Sequence, residues 1–149
     1  MSLDNLLKIG QIKRHPPDRN EIQNLLSAAQ RNLADAEVTG ISAETRFDVS
    51  YKAVMKCALA AMMATGYRPD TNRPGHHMTV IQSLPLTLGV PAARIAVLDA
   101  LRRKRNLSDY TGADIDDVSA DACVRAAKAL IADVRGWLGK AHPELVGGA

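Results

Sequence analysis

Apolar positions recur along this chain at helical spacing, and Pro, Gly and polar clusters cut them into segments. Asp18, with Glu21 three residues on, makes a capping-box-like start. It opens a predicted helix to about Val38, with Ile22, Leu25, Leu26, Ala29 and Leu33 on one face and Gly40 ending it. Ser42 caps a second helix that runs to about Thr65 and stops at Gly66. Phe47, Tyr51, Val54, Ala58 and Ala61 form one stripe on it, and Met55, Leu59 and Met62 form another. Between Ala53 and Ala64 only Lys56 is charged, so this helix is expected at the centre, buried on most sides.

The remaining segments are shorter or more polar. Ser2 to Ile9 reads as a short capped helix, followed by a loop at Lys13-Arg14-His15-Pro16-Pro17-Asp18 that no helix can cross. Tyr67 to Gly75 reads as a loop, and a helix follows from His76 to about Leu84 with Val80, Ile81 and Leu84 apolar. Pro91 suits a first helical position and opens a helix to about Tyr110. Thr111 to Val118 reads as an acidic loop. Ser119 then starts a last helix with the stripe Cys123, Ala127, Leu130, Ile131, Val134 and Leu138, ended by His142-Pro143. No strand-like alternation or hairpin dipeptide stands out. The pattern predicts an all-α fold of four main helices plus short ones. One domain spans 1–149: a short N-terminal helix and Pro-containing loop over 1–17, the main bundle over 18–142 and a flexible tail over 143–149.

Composition sharpens this picture. Hydrophobic residues make up 46% of the 149 residues but aromatics only 3%, so the core is built from Ala, Leu, Val, Ile and Met. Cys57 and Cys123 sit in Ala-rich helical runs and read as small buried residues of a reducing compartment. No apolar run reaches the roughly 20 residues of a membrane span, and the first residues lack the pattern of a signal peptide. A cytoplasmic location is expected.

The net charge of +3 matters less than its distribution. Arg102, Arg103, Lys104 and Arg105 are four consecutive cations, with Arg94 upstream. Extending the stripe Ile95, Leu98, Leu101 by one helical step lands on Arg105. An arginine in line with a core stripe is costly unless it is paired or lines a cleft. Two readings of Arg102 to Tyr110 stand. Arg102 with Asn106, and Arg105 with Asp109, make ordinary i, i+4 helix contacts. Alternatively, guanidinium, amide and phenol at a helix end grip a phosphate.

Other chemistries find less support. His76 and His77 are adjacent, so on a helix they point about 100° apart, and the residues four further on, Val80 and Ile81, are not ligands. No metal site and no cofactor are expected. One histidine is expected to cap the helix or face the bundle, and the other to face a pocket. There is no G-x-S-x-G, no Gly-rich phosphate loop and no basic setting for either cysteine. Arg125, Lys128 and Arg135 read as a solvated face, and Trp137 as core or edge packing.

The Ala-rich helix Tyr51 to Gly66, the segment Arg68 to Ile81 with Gly75-His76-His77, and Arg103 to Tyr110 together resemble the HEPN superfamily (higher eukaryotes and prokaryotes nucleotide-binding), over about Asp18 to Leu138. The resemblance implies a HEPN-like helical bundle, usually a homodimer, of bacterial toxin–antitoxin or defence systems. Active members carry an arginine, a polar residue and, after four to six intervening residues, a histidine. Arg105 matches the arginine and Asn106 the polar residue, and Tyr110 stands where the histidine belongs. A second register uses Arg103, with Ser108 at the histidine position. Imidazole moves protons near neutral pH, whereas a phenol or a hydroxyl at its ordinary pKa does not.

The resemblance therefore implies a protein that binds RNA or nucleotide phosphate. Its metal-independent ribonuclease activity is expected to be weak, altered or lost. Arg105, Asn106 and Tyr110 take the catalytic positions, and Arg102, Arg103, Lys104, Ser108 and His77 the phosphate- or RNA-binding ones. The alternative is a non-catalytic structural or regulatory protein that pairs with an antitoxin or a nucleotidyltransferase. Its arginines would then bridge to the partner or to Asp114, Asp116 and Asp117.

Overall fold

The computed structural model describes residues 2–146. Seven α-helices appear in it: α1 (Leu3–Lys8), α2 (Arg19–Ala36), α3 (Ala43–Ala64), α4 (His76–Gln82), α5 (Leu84–Thr87), α6 (Ala92–Thr111) and α7 (Asp117–Ala141). Two three-residue strands join them, β1 (Ile12–Arg14) and β2 (Tyr67–Pro69). The molecule is mostly helical, as the spacing predicts. Among the described residues no helix is long and apolar enough to cross a membrane.

α3 is the axis of the molecule, with α2 and α7 packed along it. Twelve of its 22 residues are buried, among them Phe47, Tyr51, Val54 and Met62. Small residues let its neighbours approach: Ala53, Cys57, Ala58, Ala60 and Ala61 are fully buried. Its start is fixed by Ser42, whose hydroxyl accepts from the Thr45 amide. The Asp18 side chain does the same for α2 by accepting from the Glu21 amide. Ser50 is the polar residue deepest in this packing, and its hydroxyl donates to the Arg46 carbonyl at 2.7 Å.

Several local expectations are corrected. Lys13-Arg14 and Tyr67 to Pro69 are not loop but an antiparallel ribbon, with Ile12 opposite Pro69 and Arg14 opposite Tyr67. Three residues per strand leave no alternation to read, and the pairing joins segments far apart in sequence. Ile12 holds the ribbon down, at 1% exposure. α7 starts at Asp117 rather than Ser119, because the Asp116 carboxylate accepts from the Ser119 amide and so takes the cap. Pro91 is the cap residue of α6 with extended backbone, not its first helical residue. Pro143–Leu145, placed in the tail by the sequence, form a 3-10 turn in which Leu145 is buried and its carbonyl accepts from Gln23. The last three residues of the expected tail, 147–149, lie outside the described residues.

α4, α5 and α6 form a thinner layer against the N-terminal half of α3. The helix expected from His76 to Leu84 is broken at Ser83, with Pro85 at the start of α5. α6 buries only Leu98 and Leu101 of its 20 residues. It stops at Gly112, which takes the left-handed conformation (φ 70°) that a side chain disfavours.

Candidate functional site

Arg105 faces inward. Leu98, Leu101 and Arg105 share one side of α6, so the helix carries the guanidinium to the wall of α3. There its Cζ lies 4.9 Å from the centre of the Tyr51 ring. The side chain is 25% exposed. Its Nε is buried and makes no hydrogen bond. The nearest carboxylate oxygens, from Asp48 and Asp109, are each 3.9 Å away, beyond hydrogen-bond range. The ring face supplies part of the compensation, since a cation over an aromatic ring gains about 0.5–2 kcal/mol. The donors of the group remain unspent.

Tyr51 links this arginine to a histidine. Its ring lies parallel to Phe47 at 6.5 Å, and it is 2% exposed. Its hydroxyl is 3.4 Å from Nδ1 of His77, at the start of α4. Burial pushes the Tyr51 phenol up to about 12, against the opposing pull of Arg105 and Arg102. The phenol therefore keeps its proton. Burial, His76, Arg105 and Arg102 together lower the His77 pKa, so its ring is neutral at pH 7. His76 packs edge-on against it, with centroids 4.7 Å apart. The structure gives neither histidine the cap: Gly75 caps α4 without a side-chain bond.

The basic run is divided among faces and partly neutralised. Asp99, 13% exposed, pairs with Arg102 at 2.9 Å and with Arg103 at 2.8 Å. Lys104 stands near enough to Asp116 to help lower that carboxyl, below the larger effect of its cap bond with Ser119. Ser108 donates to the Ala113 carbonyl at 2.8 Å and so helps finish the helix. Asn106 is exposed, and Tyr110 is 89% exposed. Tyr110 lies five positions beyond Arg105, which on a helix is roughly 140° of rotation. The structure therefore brings together Arg105, Arg102 and His77, and turns Arg103, Asn106 and Tyr110 away from them within one chain.

No protein-family model matches the chain, and no curated protein matches it either. The chemistry has to be read from the site itself.

Three members of the cluster are absent from the sequence-based list: Tyr51, Asp48 and Asp99. Tyr51 reads as a core residue by spacing, and it is one. A buried tyrosine hydroxyl nonetheless needs a partner, and that requirement was the available signal. The thiols play no part: burial pushes Cys57 up to about 12 and Cys123 up to about 11, so both stay protonated. Trp137 packs edge-on against His142 at the far end of α7, as edge packing requires.

Proposed function

We propose that this protein is a HEPN-like bundle that binds RNA or a nucleotide phosphate at Arg105. One observation carries the reading. Arg105 is held in the wall of the bundle, stacked on Tyr51, with a buried Nε and no hydrogen-bonded partner. A guanidinium kept at such a cost, with its two nearest carboxylates 3.9 Å away and neither hydrogen-bonded to it, suits a phosphate oxygen arriving from outside. His77, joined to it through Tyr51, is in the neutral form and able to take a proton. In this reading the histidine missing from the α6 motif is replaced in space by His77 of α4. Tyr110 and Asn106 act from the exposed side of α6, where a free phenol ring offers a stacking face for a base.

Weak metal-independent cleavage of RNA is the activity this arrangement supports, in a cytoplasmic toxin–antitoxin or defence setting. The test is cleavage of single-stranded RNA in chelator by the wild type, His77→Asn and Tyr110→Phe. His77→Asn is expected to lose about 10²–10⁴ of the rate and Tyr110→Phe little. A rate that survives His77→Asn but falls in Tyr110→Phe would return the proton transfer to the motif position. If none of the three cuts, the function reduces to binding.

The exposed side of α6 supports an assembly. Val97 and Leu107 are 50% and 57% exposed on it, with Tyr110 at its end. A homodimer through this face is the reading in keeping with the HEPN resemblance, and an antitoxin or nucleotidyltransferase seated there is the alternative. Sedimentation of the chain alone at micromolar concentration separates them: a dimer supports the first, and a monomer leaves the face to a partner.

A further inference from the structure

A pocket that shares no residue with the Arg105 cluster opens toward the other end of α3. It encloses about 490 Å³ between α2, the C-terminal half of α3 and the ribbon. Its floor is apolar: Leu25, Leu59, Met63 and Pro69. Leu25 and Leu59 are only partly buried although they belong to the core-facing stripes of their helices. Arg68, Asn24, Thr71 and the His15–Glu21 pair form the rim.

The charges on this rim are unequal in their commitments. His15 Nε2 lies 2.9 Å from Glu21 Oε1, so the carboxylate already has a partner. Arg68 has none among the described residues. Its position on β2 is directly opposite Lys13 on β1, so two cations emerge on one face of the ribbon. Like charges in that relation repel. Asp70 answers Lys13 at 3.8 Å, which leaves Arg68 exposed and unmatched at the mouth of an apolar pocket. An apolar floor with one forked cation at its edge matches a ligand with an apolar body and a single anionic head. The Glu21 carboxylate on the same rim disfavours a doubly charged phosphate and favours a monoanion.

We propose that this pocket binds a small apolar monocarboxylate, its chain over Leu25, Leu59 and Met63 and its carboxylate on Arg68. The site does not depend on the proposed phosphate site.

Octanoate is the probe, titrated calorimetrically into the full chain. Binding at about a millimolar or tighter is expected, the range open to so small a ligand. Arg68→Gln, an exposed change that leaves the core intact, should weaken it about tenfold, the worth of one charged hydrogen-bonded contact. Octanamide should be weaker than octanoate by a similar factor. Leu25→Trp, which fills the floor, should abolish binding, and Arg105→Met should leave it unchanged. Absence of octanoate binding overturns the proposal. So does equal affinity for the amide, an unaffected Arg68→Gln, or tighter binding of octyl phosphate.

Discussion

α3 and α6 are of similar length and both carry an apolar stripe, yet they do opposite work. α3 buries 12 of its 22 residues and closes the core. α6 buries two of 20, and the next residue in its stripe is an arginine. Where a helix is closely packed, each side chain is fixed by volume and little is left free for chemistry. A helix packed on one narrow strip can hold a charged group at the boundary, half sheltered and half wet. The difference separates stability from function: α3 carries the first and α6 offers a place for the second.

Mutations that exchange these roles test the separation. The largest effect is expected from Phe47→Ala in α3, which empties a fully buried ring site and should cost about 3–5 kcal/mol in chemical denaturation. Leu98→Ala in α6, in the thinner layer, should cost about 2 kcal/mol, at the low end for such changes. Equal losses would remove the distinction between the two helices.

Arg105→Met should raise stability by about 1 kcal/mol. It removes a buried unpaired donor and leaves a side chain of matching length on the Tyr51 ring. A melting temperature that falls instead would make Arg105 a structural residue.

pH sharpens the same contrast. The folded-state pKa of His77 lies below its ordinary value of about 6.5, with burial the largest cause. The unfolded chain therefore binds this proton more readily. Stability is expected to be full above about pH 6.5 and to decline as the pH falls below it, before the carboxylates titrate. His77→Asn should flatten this limb in thermal scans from pH 7 to pH 5.5. A wild-type curve already flat there would contradict the half-buried, neutral histidine.

The smallest effect on folding should come from Ala100→Glu, on the exposed side of α6. The change should stay within about 0.5 kcal/mol in the monomer. If α6 joins two copies, the same substitution should dissociate them in sedimentation at unchanged helix content.

The helices were legible because their signals are local. Ser42, Asp18 and Gly66 mark ends, and the spacing from Phe47 to Ala61 marks a buried face. The ribbon was not, since Ile12 to Arg14 and Tyr67 to Pro69 find each other only through the fold. Arg105 was legible for the same reason as the helices: its place in the stripe follows from 3.6 residues per turn. Its surroundings were not. Neighbourhood along α6 suggested Asn106 and Tyr110, but helical rotation turns both away. The residues that meet the guanidinium, Tyr51 and Asp48, come from α3, and His77 beyond them comes from α4. The run of four cations was legible only as a sum of charge. Asp99, which occupies two of them, lies on the preceding turn.

The central claim is that Arg105 is kept for a phosphate at some expense of stability. It is tested most directly by measuring RNA affinity and melting temperature on the same preparations of wild type and Arg105→Met. Fluorescence anisotropy with a short single-stranded RNA, repeated across salt concentrations, gives the affinity and its electrostatic slope. The account predicts that Arg105→Met binds about tenfold or more weakly, with a shallower salt slope, while melting at the same or a higher temperature. Unchanged RNA affinity, or a variant that loses stability together with binding, would contradict it.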